Sequence, residues 1–166
     1  MGTWNSRGCN NRYDVIVYNI ILLFNASVFV FPFTNNVFCN KDDFLTILYL
    51  SIFDRTGGKT YGVAKDVNLV ALKVFGADGK SRFSDIISAL EYVIYRKKKE
   101  PNVAMVVNMS LGTERKAILL NKAVDKATKA GIPVVVAAGN GGRNACTYSP
   151  ASASSAITVA ASTLEE

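Results

Sequence analysis

Hydrophobic and polar positions follow a regular spacing from Gly57 onward, and this spacing predicts strands and helices in turn. Apolar residues at helical spacing predict one helix that Ser84 caps and that ends before Pro101, and a second helix over Glu114–Ala130. Four short apolar runs bounded by turn residues are typical of strands: Val67–Phe75, Val103–Met109, Ile132–Ala138 and Ile157–Ala161.

This order of elements indicates an α/β domain with a doubly wound parallel sheet. A strand, a helix and a further strand form a right-handed crossover, and successive crossovers cover both faces of such a sheet. Ligands of these folds bind outside the carboxyl ends of the strands. We therefore expect any functional site at that edge.

The first 56 residues follow a different pattern. Val15–Phe33 carries no charge and is long enough to cross a bilayer as a helix. Asn19, Asn25 and Pro32 argue against a membrane span or an uncleaved signal, and favour a buried or poorly packed apolar segment. A second uncharged run, Phe44–Phe53, is too short to span a bilayer.

The net charge of +6 arises in the second part of the chain, where residues 57–166 hold fifteen Lys and Arg against nine Asp and Glu. The run Arg96–Lys99 suits either nucleic acid and acidic membranes or the carboxyl end of a solvated helix. The second interpretation is favoured, so no nucleic-acid partner is expected.

Metal chemistry finds little support in the composition. The chain has no histidine, and its three cysteines lack metal-ligand spacing, so we expect no zinc site. Cys9 and Cys39 are able to form a disulfide only in an oxidising compartment. The number of cysteines does not show which compartment the protein occupies.

Glycine and small polar residues follow three of the predicted strands, in the sequences "FGADGKSRF", "NMSLGT" and "AAGNGG". Turn formation alone explains any one such loop. Three loops that converge on one edge of the sheet favour a binding site there.

Four sequences, "TYGVAKDVNLVALKVFGADG", "VVNMSLG", "VVVAAGN" and "YSPASASSAITVAAS", occur in an order and spacing that resemble subtilisin-like serine proteases, closest to the proteinase K branch. The resemblance spans about Gly57 to Thr163. It implies a partial subtilisin-like sheet and peptide-bond hydrolysis as the activity of the family.

The resemblance also implies roles for individual residues. Asn140 is similar to the asparagine of the oxyanion hole, which donates to the oxygen that gains charge on the scissile carbonyl. An extended peptide or protein substrate, or a propeptide, is expected to pair with two segments by strand addition. These segments and the wall of the pocket comprise Gly79, Lys80, Ser81, Arg82 and Phe83, then Ser110, Leu111 and Gly112, and finally Ala137, Ala138 and Gly139.

The Asp, His and Ser of the family are not found at the positions that the resemblance implies. Where a histidine motif is expected before Gly57, the chain reads "LYLSIFDRT", and the aspartates Asp14, Asp42, Asp43 and Asp54 have the wrong neighbours. The serine motif is expected beyond residue 166. We therefore predict no protease activity, and the alternative function is that of a peptide-binding pseudoprotease. A membrane-anchored protein that uses Val15–Phe33 is a third and weaker hypothesis.

Residues 1–56 are accordingly expected to be foreign to the family, as translated intron or a divergent exon would be, and the domain to occupy residues 57–166. The sheet is expected to lack its first strand and its carboxyl-terminal elements. No cofactor is expected, because the calcium site that relatives form near the Ser154 and Ala156 carbonyls lacks its carboxylate here. The family is typically extracellular or secretory, although no clear signal peptide is visible.

Overall fold

The computed structural model describes residues 13–18, 56–57, 59–64, 67–72, 74–75 and 80–162. Five strands lie within these ranges: β1 (Tyr13–Tyr18), β2 (Asn68–Ala71), β3 (Ala104–Met109), β4 (Val134–Ala137) and β5 (Ile157–Val159). Two helices, α1 (Phe83–Lys99) and α2 (Ile118–Lys129), and a short 3-10 turn at Ala145–Thr147 complete the described elements.

The strands form one sheet in the order β2-β1-β3-β4-β5, and each neighbouring pair is parallel. The predicted α/β architecture is therefore confirmed. The four strands expected from the pattern are all present, each somewhat shorter than its apolar run. Their helices α1 and α2 pack against each other on the same side of the sheet.

Strand β1 corrects the expectation that the sheet has lost its first strand. Tyr13–Tyr18 lies between β2 and β3, with Val15 opposite both Leu69 and Val106. Sequence analysis missed this strand because its apolar residues run without a break into Val15–Phe33, so no turn residue marks where a strand ends. The rest of that run, and Phe44–Phe53, lie outside the described residues.

Both helices begin at other residues than predicted. Ser84 does not cap α1, because its hydroxyl bonds the Asp85 carboxylate at 3.2 Å, and the N-cap residue Arg82 makes no side-chain cap bond. Helix α2 begins at Ile118 instead of Glu114. The chain before it is held instead by Ser149, whose hydroxyl accepts a 2.8 Å bond from the backbone N–H of Ala117.

The core lies between the sheet and the two helices. On the helix side, Leu90, Val93 and Val124 are completely buried against Val107 and Val134 of the central strands. Leu and Val side chains at this depth each contribute about 1.5–3 kcal/mol relative to exposure. This layer fixes β3 and β4, from which the loops at the carboxyl edge extend.

Basic side chains at the carboxyl end of α1 bind groups just beyond the end of that helix. Arg96 forms an ion pair with Glu100 at 3.0 Å, and Lys97 donates to the carbonyls of Pro101 and Val103 at 2.9 and 2.7 Å. Lys99 lies 5.7 Å from the centre of the Tyr95 ring. These contacts support the helix-end interpretation over a nucleic-acid surface.

No helix among the described residues is long and apolar enough to cross a membrane. Within the same ranges, no three His, Cys, Asp or Glu side chains are grouped as a metal site would require. Cys146 is exposed and unpaired there, whereas Cys9 and Cys39 lie outside the described part of the chain.

The Asp125 carboxylate of α2 accepts hydrogen bonds from Ser154 and Ser155, which lead into β5. Its Oδ1 accepts bonds from the backbone N–H and hydroxyl of Ser155 at 3.2 and 2.6 Å, and from the Ser154 hydroxyl at 3.4 Å. The Ser155 hydroxyl, aided by these other donors and by Lys129, lowers the pKa of Asp125 below its ordinary value of 3.8.

Leu90→Ala is expected to lower the free energy of unfolding by about 2–5 kcal/mol, because it opens a cavity beneath the sheet. Leu119→Ala is the matched control, since that side chain is 71% exposed, and should change stability by less than about 0.5 kcal/mol. Urea unfolding followed by circular dichroism measures both. Equal losses in the two variants would contradict this packing.

Asp125→Asn is expected to make stability less sensitive to acid. A carboxylate whose pKa is lower in the folded state stabilises it above the unfolded pKa, and this contribution is lost as pH falls through the folded pKa. Urea unfolding at several pH values from neutral downward should show a weaker acid dependence in the variant. Glu114→Gln, at an exposed position outside this cluster, should keep the acid dependence of the parent chain.

Candidate functional site

The carboxyl ends of β3 and β4 place two of the predicted binding segments side by side. Met109 at the end of β3 pairs with Val136 of β4, so the chain leaves both strands at the same edge. Ser110–Thr113 continues from β3 and Ala138–Gly142 from β4. The structure thus brings together two of the three segments that sequence analysis assigned to substrate binding.

The segment after β3 is anchored on one side. Thr113 and Ser149 form an antiparallel bridge, with N–H to carbonyl distances of 2.8 and 3.3 Å. Ser149 is completely buried, and the Leu111 side chain is 6% exposed. The Asn108 side-chain amide donates a 3.0 Å hydrogen bond to the Ser110 hydroxyl, which links the segment to the end of β3.

The other side of this segment is open. In an extended chain, the backbone groups of successive residues point to opposite edges, so Ser110 and Gly112 direct theirs away from Ser149. The β1–β3 ladder ends with Tyr18 opposite Met109, which directs the Ser110 N–H toward β1. Beyond it, the described residues outside the strands form no backbone hydrogen bond with Gly112. The Gly112 backbone presents an edge to which an extended peptide can add.

The Tyr148 ring packs against two glycines of the turn that follows β4. A Cβ on Gly139, whose φ is 100°, would lie 3.0 Å from the Tyr148 ring, and one on Gly141 would lie 3.2 Å from its hydroxyl. Tyr148 itself is 8% exposed. At Gly139, the positive φ and the close approach of the ring both favour glycine.

Asn140 stands between those two glycines and is exposed. No hydrogen bond to its side chain arises from the residues that the structure describes. The amide is consequently a free donor at the carboxyl edge, held there by a turn whose backbone is fixed from below. Ala137 and Ala138 precede it as half-buried small side chains.

The third predicted segment, Gly79–Phe83, is described only from Lys80. The Ser81 hydroxyl donates to the Val74 carbonyl at 2.6 Å, which keeps this stretch beside the chain that leaves β2. The Ser81 side chain therefore binds its own chain instead of a ligand. Arg82 is exposed and Phe83, 47% exposed, begins α1. Gly79 lies outside the described residues.

Tyr148 and Ser149 are the functional-site residues that sequence reasoning missed. The sequence analysis gave neither residue a role. The backbone of buried Ser149 holds Thr113, and its hydroxyl accepts the bond from Ala117. The one signal was their place in "YSPAS", a motif that carried the resemblance but had no role assigned.

The model of the subtilase family matches residues 40–166, which begins before the boundary expected at Gly57. The subtilase-type proteinase psp3 of Schizosaccharomyces pombe is 47% identical over 107 residues, which are 64% of this chain and 24% of that protein. The subtilisin-like serine protease Rho m 2.0101 of Rhodotorula mucilaginosa is 44% identical over 66% of this chain and 33% of its own. This chain thus spans at most about a third of these relatives.

Solved structures agree with the sequence matches. A cold-adapted subtilisin-like serine proteinase superposes with a TM-score of 0.58 and 37% identity, over 66% of this chain and 38% of its own. Sphericase gives a TM-score of 0.53 and 30% identity, over 59% and 32% of the two chains. On the match of its residues 40–166, this chain belongs to the subtilase family of subtilisin-like serine proteases.

Proposed function

We propose that this chain carries the peptide-binding edge of a subtilisin-like serine endopeptidase and binds extended peptides without cleaving them. The observation that carries the proposal is the open edge at Gly112, next to the bridge that fastens Thr113 to Ser149. Membership in a protease family supports a peptide or protein as the ligand.

The order of the strands sets the distance between the two segments that would pair with a peptide. One strand, β1, separates β2 from β3, so the segments that follow these two strands begin about 10 Å apart. Two strand spacings are the separation that one extended peptide paired on both sides requires. Pairing would involve the Ser110 carbonyl and the Gly112 backbone on one side and the stretch Lys80–Arg82 on the other, since Phe83 already begins α1.

The pocket wall favours apolar side chains. Ala137 and Ala138 are half-buried, and Gly139 adds no side chain, so the wall beside Asn140 is small and uncharged. A large apolar residue of the peptide would bury area against it. We therefore expect higher affinity for peptides with Phe or Leu at this place than with Asp or Lys.

Catalysis requires a base that this chain does not supply. Residues 48–56, "LYLSIFDRT", occupy the place of the expected histidine motif, and none of the 166 residues is histidine. In triad proteases the histidine accepts the proton of the attacking serine, and losing one triad member lowers the rate by orders of magnitude. The free amide of Asn140 would be able to stabilise an oxyanion, but no residue here generates one.

The proposal extends to two further properties. Peptide binding is expected to need no metal or cofactor, so a chelator should leave affinity unchanged. A relative from Thermus sp. is named extracellular serine proteinase, and we infer that this chain likewise belongs to an extracellular or secretory compartment.

Peptide N-methylation tests the open edge directly. A fluorescent, apolar extended peptide should bind the full chain, and methylation of the amides that face Ser110 and Gly112 should weaken binding at least about tenfold, since each lost bond and the added methyl oppose pairing. Methylation of the alternate amides is the matched control and should have little effect. Fluorescence anisotropy measures affinity, and chromatography of the same samples should show intact peptide.

Two results would contradict this proposal. Equal binding by both methylated peptides would show that no strand addition occurs at this edge. Accumulation of cleaved peptide, in a preparation cleared of other proteases by an inhibitor control, would show that the chain is an active protease.

Asn140→Ala is expected to leave peptide affinity within about twofold of the parent chain. An oxyanion donor acts on charge that develops only in the transition state, so it contributes little to binding of the ground state. The same anisotropy assay measures this variant. A tenfold loss would instead make Asn140 a direct contact of the bound peptide.

A further inference from the structure

The turn after β4 contains the one Asn-Gly sequence of this chain, Asn140–Gly141. The side-chain amide of an asparagine reacts with the backbone nitrogen of the residue that follows it. Glycine in that place hinders the reaction least, because it has no Cβ. Both residues are exposed, so water also reaches them. The turn therefore holds a reactive amide and its nucleophile next to each other.

Hydrogen bonds within the described part of the chain hold neither of the two reacting groups. The Asn140 side chain has no such bond, and the Gly141 N–H has no acceptor there. Gly139 and Gly142 flank the pair with φ of 100° and 60°, a region that glycine adopts freely. Because exposed backbone without hydrogen bonds opens easily, the folded turn allows the two groups to meet.

Asn102 provides a comparison within the same chain. It is exposed like Asn140, but Val103 follows it. The branched Val103 side chain hinders attack, and the Val103 N–H already donates to the Glu100 carbonyl at 3.1 Å. Side-chain hydrogen bonds of 2.9–3.0 Å hold three further asparagines, Asn108, Asn121 and Asn144.

We propose that Asn140 is a self-modification site, which deamidates in the folded chain. The Gly141 nitrogen loses its proton to water and attacks Asn140 Cγ, so that a new C–N bond closes a cyclic imide. The Cγ–Nδ2 bond breaks, and the side-chain nitrogen leaves as ammonia. Water then opens the imide at either carbonyl, which gives aspartate or isoaspartate. Nothing is oxidised or reduced, and water is the only co-reactant.

Deamidation reverses what residue 140 presents beside the wall of the pocket. The amide is neutral and donates, whereas an ionised carboxylate is negative and only accepts. The oxyanion donor that the resemblance assigns to Asn140 is thereby lost. In isoaspartate the main chain also gains one carbon, which alters the contact between Gly141 and Tyr148. The modification is independent of the proposed function, but its effect on a bound peptide rests on that function.

Peptide mapping of the aged full chain tests the site. After incubation in mildly alkaline buffer, trypsin releases residues 130–143, in which Asn140 is the sole asparagine. Mass spectrometry then gives the deamidated fraction, and a sample taken at time zero corrects for conversion during digestion. Asn140 should convert at least about tenfold faster than Asn102 in the same sample. An isoaspartyl methyltransferase should label the aged chain and not the fresh chain.

Gly141→Ala tests the nucleophile. A Cβ on Gly141 would lie 3.2 Å from the Tyr148 hydroxyl, so the substitution is made in a Tyr148→Phe chain and compared with Tyr148→Phe alone. It should slow conversion of Asn140 about tenfold, because the Cβ hinders attack. Asn140→Gln should abolish methyltransferase labelling of residues 130–143. Circular dichroism verifies that each variant remains folded.

Three results would overturn the proposal. The first is equal conversion of Asn140 and Asn102, and the second is an unchanged rate with Gly141→Ala. The third is conversion in the folded chain more than about a hundredfold slower than in the synthetic peptide 130–143, which would show that the fold protects Asn140.

The effect on a ligand is measured separately with Asn140→Asp, which mimics one product. By fluorescence anisotropy, the affinity for an apolar peptide that carries Asp beside the anchor should fall at least about threefold relative to one that carries Lys. Equal affinities would contradict this effect. Conversion of Asn140 in a parent chain that binds neither peptide would contradict the proposed function and support the modification site alone.

Discussion

The parallel pairing of β3 with β4 beneath two helices is the constraint on which the rest of this structure depends. Val107 and Val134 pair in register and are both completely buried, as are Leu90 and Val124 of the helices above them. Because the two strands are fixed along their length, they end together. The segments that follow them therefore meet at one edge with little freedom in their relative position.

Two buried residues, Tyr148 and Ser149, support the edge that is proposed to bind peptide. Ser149 uses its backbone to hold Thr113 and its hydroxyl to hold Ala117, while the neighbouring Tyr148 ring lies under Gly139 and Gly141. These contacts leave the backbone of Gly112 and the amide of Asn140 directed outward. On the proposed function, peptide binding depends on this anchored edge and not on a catalytic triad.

Much of the fold followed from the sequence because its second part has clear boundaries. Val103–Met109 and Ile132–Ala138 are apolar runs enclosed by Gly, Pro and small polar residues, so both strands were predicted. Strand β1 was missed because Val15–Phe33 offers no such boundary. The start of α2 was wrong because a contact with Ser149, distant in sequence, holds Ala117 outside the helix. Asn140 was found through resemblance, since a single exposed amide has no pattern of its own.

Isotope-labelled full-length chain, titrated with an uncleavable extended peptide and followed by amide NMR, tests the account most directly. The account predicts chemical-shift changes that saturate and concentrate at Ser110–Thr113 and at Ala138–Gly141, with little change at the carboxyl end of α1 near Lys99. Changes confined to the helices, or no saturable change at the carboxyl edge of β3 and β4, would contradict a peptide site there.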